Sequence, residues 1–316
     1  MKEIGGYFGL EKLVSNEYYS DLTAVNTARN ALIYILKARK ARKIYLPHFL
    51  CESVCSMCAK EGYEVEYYHI DKNFMPVFEK KPAADEWLYI VNYYGQLDNE
   101  KASELKSGYG NIIFDNVQAF FQKPVRGIDT VYSCRKFFGV PDGAYVSTEA
   151  VFPEKLETDM SMNRLRHLMG RFETNSASDY YADFKSNDHS FFETELREMS
   201  AFTHNILGAI DYESVIEIRN RNFSVLSKQL GNINGISIKT PSGPYAYPFY
   251  CKNGMEIKKK LAEKKIFVAT LWPNVLEMTD TTEKDYAENI LPLPCDQRYD
   301  EDDMIYVAEE IKNVSL

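Results

Sequence analysis

The stretch Ser133-Cys134-Arg135-Lys136-Phe137-Phe138-Gly139-Val140-Pro141-Asp142-Gly143 decides how the rest of the chain is read. It sets one lysine among aromatic residues and glycines, directly after an apolar run over Asp129 to Cys134. Upstream, the short apolar run Asn111-Ile112-Ile113-Phe114 ends in Asp115, and Gln118 follows three residues later. An aspartate at one strand end and a lysine just past the next strand make a chemically meaningful pair. The lysine supplies a primary amine that condenses with an aldehyde cofactor. The carboxylate keeps a pyridine nitrogen protonated, so that the ring accepts the electron pair of a carbanion. Pyridoxal phosphate (PLP) is the cofactor that needs both. Burial among Phe137, Phe138 and Gly139 is expected to lower the Lys136 pKa and favour the neutral amine.

Size and charge narrow the alternatives. With 316 residues the chain can bury a large core in one large domain or in a large and a small one. The net charge of −9 argues against a nucleic-acid partner, because phosphate backbones select basic surfaces. An anionic small molecule would need a local basic pocket. No apolar run reaches membrane-spanning length, and the start Met1-Lys2-Glu3-Ile4-Gly5-Gly6 lacks a signal-peptide core, so no membrane partner and a cytoplasmic location are expected. Six cysteines in a chain of this length do not make a disulfide scaffold.

Periodicity along the chain alternates between strand and helix. Helices are expected over Ala28 to Lys40, Cys51 to Glu61 and Asn99 to Lys106. Strands are expected over Lys43 to Leu46, Tyr63 to Ile70, Trp87 to Tyr94, Asn111 to Asp115, Asp129 to Cys134 and Gly143 to Thr148. Such alternation implies an α/β fold with a mostly parallel sheet whose ligands gather at strand ends. The middle, from Glu154 to about Gly231, reads as mostly helical, with Glu173 to Ser190 as a mobile or interface loop. Beyond it, strands near Ile236 to Lys239, Tyr245 to Cys251 and Ile266 to Thr270 alternate with helices near Met255 to Lys264 and Asp302 to Lys312. Two domains are expected, 1–210 for cofactor binding and 211–316 as a smaller C-terminal unit.

Three further groups bear on chemistry. Asn26-Thr27-Ala28-Arg29-Asn30 opens the first helix, where free backbone N–H groups and an arginine suit a phosphate, and Ser133 would add a hydroxyl. Cys51, Cys55 and Cys58 have the spacing of a radical-enzyme iron–sulfur motif, but the same spacing is one face of a helix. His48, after Pro47 at a strand end, is the one histidine placed to approach a ligand.

Taken in order, these segments resemble the DegT/DnrJ/EryC1/StrS group of PLP-dependent sugar aminotransferases. Gly5 to Glu11 is similar to the family's N-terminal strand, and Thr27-Ala28-Arg29-Asn30-Ala31-Leu32 falls on its phosphate loop. Tyr45-Leu46-Pro47, Tyr93-Tyr94-Gly95-Gln96 and Phe114-Asp115-Asn116-Val117-Gln118-Ala119 follow at the expected places. Lys136, with Gly143-Ala144 after it, falls on the cofactor-binding lysine, and Ile290-Leu291-Pro292-Leu293-Pro294 matches a closing segment.

The resemblance implies a fold-type I PLP transferase with a seven-stranded sheet and a homodimer. It implies transamination of a nucleotide-linked keto sugar, with an amino donor such as glutamate, for surface polysaccharide or related amino-sugar synthesis. Lys136 and Asp115 would be catalytic, and Gln118 would lie near the ring's phenolic oxygen. Ala28, Arg29, Asn30 and Ser133 would hold phosphate, while Tyr94 and Trp272 would face substrate. The chain also departs from the pattern. Arg29 replaces the phosphate-loop threonine, and Cys51 stands where an aromatic ring usually stacks on the cofactor. The asparagine loop that reaches the neighbouring subunit has no counterpart. These departures leave open a non-catalytic binding or scaffold protein and, through Cys51, Cys55 and Cys58, an iron–sulfur enzyme.

Overall fold

The structure, a computed structural model, describes residues 4–315; Met1, Lys2 and Glu3 of the N-terminal hexapeptide, and Leu316, lie outside it. The first half builds one sheet and the helices that flank it. In chain order these are β1 (Thr23–Val25), α1 (Ala28–Ala38), β2 (Lys43–Pro47), α2 (Glu52–Lys60), β3 (Glu64–Ile70), β4 (Pro76–Val77) and β5 (Glu86–Val91). Then follow α3 (Asn99–Tyr109), β6 (Ile112–Asp115), β7 (Asp129–Ser133) and β8 (Ala144–Ser147). The strand order is β1-β8-β7-β6-β5-β2-β3-β4. Neighbours among β3, β2, β5, β6 and β7 pair in parallel, whereas β4, β8 and β1 join antiparallel. The sequence explains the central strands. Trp87 to Val91 and Ile112 to Asp115 are buried throughout, as continuous apolar runs in a parallel sheet covered on both faces should be.

The sheet has eight strands where the sequence suggested seven. The segment Gly5 to Glu11 is not a strand: it bends over Gly5 to Tyr7 and is exposed, Tyr7 and Phe8 being each 97% accessible. Gly5 and Gly6 both have positive φ, and no neighbouring strand offers the segment a hydrogen-bonding edge. The edge position belongs instead to β1, and the two-residue β4 caps the other side.

The second half contains α4 (Arg166–Thr174), α5 (Tyr181–Ser190), α6 (Ala201–Leu207), α7 (Tyr212–Leu230), β9 (Tyr247–Tyr250), α8 (Gly254–Glu263), α9 (Thr282–Asn289), β10 (Ile290–Leu293) and α10 (Glu301–Ser315). The expected loop over Glu173 to Ser190 therefore contains a helix. Helix α5 is polar nearly all round, so no apolar stripe betrays it in the sequence. Conversely, Ile236 to Lys239 and Ile266 to Thr270 are not strands. The strands of this half that pair are β9 and β10, antiparallel. The Lys239 backbone is satisfied by a side chain, since its N–H donates to Gln96 Oε1 at 2.6 Å and its carbonyl accepts from Gln96 Nε2 at 3.0 Å. A second apolar core, with Phe223, Leu226, Phe249, Leu261, Leu291 and Ile311, lies between β9, β10 and helices α7, α8 and α10.

Lys258 is one of the buried cations outside any ion pair among the described residues. Lys258 on α8 is 7% exposed, its Nζ donates to the Ala287 carbonyl at 3.1 Å, and no carboxylate among the described residues pairs with it. Burial pushes its pKa down to about 8. An unfolded lysine holds its proton up to about 10.5, so below pH 8 the native state bears the whole cost of the buried charge. Stability should rise between pH 8 and 10.5 as that cost disappears. Lys258→Met keeps the aliphatic stem, and it should stabilise the protein by about 2 kcal/mol at pH 7. The gain should vanish by about pH 10. Urea titration at the two pH values checks it.

Candidate active site

Register brings the singled-out residues to one edge of the sheet. Val91, Asp115 and Val131 are lateral neighbours across β5, β6 and β7. Two residues further along β7, Ser133 lies beside Ala144 of β8, which lies beside Val25 at the end of β1. The start of α1 is thus one strand removed from Ser133. Val25, Val91, Asp115 and Ser133 end their strands, and Ala144 opens the antiparallel β8 at the same edge, the one where ligands of such sheets collect.

Asp115 ends β6 at 5% exposure. Its Oδ2 accepts from the Tyr89 hydroxyl at 2.7 Å and its Oδ1 from the Val117 N–H at 2.7 Å. Burial raises its pKa to about 6, against the Tyr89 and Val117 hydrogen bonds and the nearby Lys136 ammonium, which all lower it. Each oxygen keeps a lone pair free, so the carboxylate can accept one more N–H.

Lys136 closes a short helical turn over Cys134–Lys136 directly after β7. Its neighbours converge from separate elements: Tyr245, whose ring centre is 5.8 Å from Nζ, Cys51 at the start of α2, and Asp188 on α5. The expectation that burial lowers its pKa is not met. The side chain is exposed, and its pKa is raised above the usual lysine value, chiefly by Tyr245, with Cys51 and Asp188 adding against desolvation and Arg135. Phe137 and Phe138 are buried, but they point into the aromatic core with Phe120 and leave Lys136 on the open side of the turn.

The start of α1 carries the phosphate-type features. Thr27 caps the helix by accepting from the Asn30 N–H at 3.2 Å, and no side chain caps the Ala28 and Arg29 N–H groups. Asn30 is committed to the fold: its amide donates to Asn26 Oδ1 at 2.9 Å and to the Glu195 carbonyl at 3.0 Å. Arg29 is 8% exposed, and its Nη1 is buried without a hydrogen-bond partner. Ser133 is buried, and its hydroxyl makes no capping hydrogen bond to the turn that follows. An orphaned guanidinium N–H, a hydroxyl, free helix N–H groups, an amine and an acceptor carboxylate are the donor set that PLP requires. The residues fit that group.

Other expected contacts are placed differently. Gln118 Oε1 accepts from the Tyr94 N–H at 2.8 Å, which holds Tyr94 at φ 53° ahead of Gly95 at φ 72°. A Cβ on Gly95 would fall 2.9 Å from Pro241 Cβ, so only glycine fits this turn. Tyr94 is 1% exposed beneath the site, not on a substrate face. Trp272 packs edge-on against Phe49, with ring centres 4.4 Å apart, and so serves the core on at least one side. His48 stacks on Tyr67 at 5.2 Å. The three cysteines of α2 run from exposed Cys51 through half-buried Cys55 to fully buried Cys58, whose thiol burial pushes up to about 12. A protonated thiol inside the core does not ligate a cluster, and no metal-holding group of His, Cys, Asp or Glu occurs among the described residues. Sequence reasoning missed Tyr89, Arg135, Asp188 and Tyr245. Arg135 was visible beside Lys136, whereas the other three reach the site only through tertiary packing.

Two surface cavities are lined by other residues, the second of them by the α5 residues on either side of Asp188. One of about 270 Å³, lined by Gly127, Asp129 and Ser147, is at the opposite edge of the sheet. Another of about 340 Å³ lies between Arg164 and Asn187. Neither contains an amine beside a buried acid.

No protein-family model matches the chain, and no curated protein matches its sequence. Solved structures do match. A DegT/DnrJ/EryC1/StrS aminotransferase from Brucella abortus is 15% identical, with 93% of this chain and 86% of that chain covered and a TM-score of 0.62. The fold is that of sugar aminotransferases. Spr1654 of Streptococcus pneumoniae, assigned as a sugar aminotransferase and solved in its PLP form, is 14% identical over 94% of this chain and 88% of that one, with a TM-score of 0.63. DesI, solved in the presence of its TDP-sugar product, is 14% identical over 93% and 80%, also with a TM-score of 0.63. At such identities the likeness to the aminotransferases is one of fold, and what the site does must come from its residues.

Proposed function

We propose that this chain is a PLP-dependent aminotransferase acting on a nucleotide-linked keto sugar. The observation that carries the reading is the meeting of Asp115 and Lys136 at one sheet edge, with the orphaned Arg29 guanidinium at the helix start beside them. Bound PLP supplies an aldehyde that captures amines and a ring that delocalises a carbanion's electron pair. Ala28, Arg29 and Ser133 hold its phosphate. Asp115 accepts the pyridine N–H, and Tyr89 and Val117 fix the orientation of the carboxylate. Gln118 Nε2, whose Oε1 is spent on Tyr94, is the half of that amide left to donate. Lys136 Nζ would hold the cofactor's aldehyde carbon and, with an amino donor such as glutamate in the site, would take up the proton of the donor's α-carbon. In the second half-reaction it returns a proton to the sugar carbon that gains nitrogen.

The fold shared with a protein solved in the presence of its TDP-sugar product supports the sugar-nucleotide class; a role in polysaccharide or related amino-sugar synthesis is part of the proposal. The exposed apolar side chains Ile4, Tyr7, Phe8 and Leu10, with Met160 and Phe172, support a homodimer. No helix among the described residues is long and apolar enough to cross a membrane; a cytoplasmic site of action is part of the proposal.

Borohydride reduction of the PLP-loaded protein, followed by peptide mapping, tests the reading. The label should fall on Lys136, and glutamate should discharge it before reduction. A label on Lys258, the lysine with the lower pKa, would overturn the assignment. A labelled Lys136 that ignores every amine donor would support a binding subunit without catalysis.

A further inference from the structure

The start of α1 is covered by a carboxylate from far along the chain. Asp188 Oδ1 lies 3.2 Å from Arg135 Nη1 and 4.0 Å from Arg29 Nη2, so one oxygen bridges two guanidinium groups. Arg29 stacks on the Phe192 ring at 4.9 Å and Arg135 on the Phe191 ring at 4.9 Å, and both rings follow Asp188 within four residues. Burial pushes both arginine pKa values down, and Asp188 opposes it in each case. A buried cation, Arg29, and a partly buried one, Arg135, thus share one acid whose side chain is 44% exposed. Arg29 Nη1 has no partner and no contact with solvent. The pair is undercompensated, and its free donor is sealed beneath Asp188 and Phe192. A dianion with three acceptor oxygens matches that deficit better than a single carboxylate does.

We infer that Arg29 and Arg135 form a two-guanidinium receptor for the cofactor's phosphate, and that Asp188 holds this receptor as an internal competitor until the phosphate displaces it. The inference rests on the reading that Lys136 takes PLP. It adds Arg135 as a binding residue and gives α5, with the following Phe191-Phe192 pair, the part of a cover that must shift for the phosphate to reach Arg29 Nη1. The arrangement also accounts for arginine in place of a small phosphate-loop residue. A guanidinium can hold an internal acid in the free chain and a phosphate in the loaded one.

The sign of one substitution separates competitor from support. If Asp188 competes, Asp188→Asn should tighten binding of PLP and of inorganic phosphate about fivefold, the worth of two partly exposed ion pairs. If Asp188 merely positions the arginines, the same variant should weaken both, and the proposal fails. Titration calorimetry with inorganic phosphate, and visible absorbance with PLP and with pyridoxal, supply the readings without any turnover. Arg135→Gln should weaken PLP and phosphate at least about tenfold and leave pyridoxal unchanged. An equal loss for pyridoxal would show that Arg135 serves Lys136 or the fold and would overturn the receptor. Should PLP fail to bind Lys136 while phosphate still answers to Asp188→Asn, the cofactor reading falls and the anion receptor stands.

Discussion

Lys136→Ala is expected to fold normally and to lose transamination by roughly 10³-fold or more, because one amine both captures the cofactor and moves the proton. The loss should be in kcat. Its removal should leave the core in place: the residue is exposed and its turn is held by backbone bonds, Phe137 N–H and Phe138 N–H both donating to the Cys134 carbonyl. PLP should still bind weakly through its phosphate, but borohydride should no longer fix label in the Lys136 peptide. Single-turnover assays with glutamate, with and without added methylamine, would show whether an external amine restores part of the proton transfer. A variant that retained labelling at wild-type level would place the reactive amine elsewhere.

Asp115→Asn should uncouple stability from function in opposite directions. The Asp115 carboxyl titrates near 3.8 in the unfolded chain and near 6 in the native one. Between these values the native state binds more protons, so stability falls as pH rises from about 4 to 6, and the loss is complete above 6. At pH 7 the buried charge costs the native state about 3 kcal/mol. The amide carries no charge, so the cofactor-free variant should gain about 2 kcal/mol at pH 7, once imperfect bonding to Tyr89 is allowed for, and nothing at pH 4. Activity should fall by about 10³-fold, because an amide does not hold the pyridine nitrogen protonated. Thermal melts of the cofactor-free protein at pH 4 and 7, with steady-state rates of the loaded protein, check both halves. Wild-type protein should also capture PLP more weakly as pH drops through about 6, where Asp115 takes up its proton. A variant both less stable and less active at pH 7 would show that the carboxylate is a structural support only.

Much of the site was legible because strand ends are marked in sequence. Apolar runs that stop at Asp115 and Cys134 locate the edge of the sheet, and Thr27 before an apolar-periodic helix locates a free N-terminus. Asn30 looked like a phosphate ligand from its position, but a position says nothing of whether a side chain is already engaged; it is spent on Asn26 and Glu195. The strand expected at Gly5 to Glu11 failed because the segment pairs with no strand, and the edge of the sheet is β1 instead. The Lys136 environment was misjudged for a related reason: aromatic neighbours in sequence need not be neighbours of the side chain in space.

The sequence alone determined the α/β alternation, the parallel centre of the sheet and the strand ends bearing Asp115 and Lys136, because these follow from local periodicity and chain stops. It also carried the departures at Arg29 and Cys51. Only the tertiary structure decided which charges meet. Asp188, which lies 159 positions after Arg29 and 52 after Lys136 in the numbering, reaches the start of α1 because α5 packs there, and Tyr245 reaches Lys136 from just before β9. Coulombic and hydrogen-bonding terms depend on distances of a few ångströms. Residues so remote in the chain acquire such distances only when the packed core fixes them.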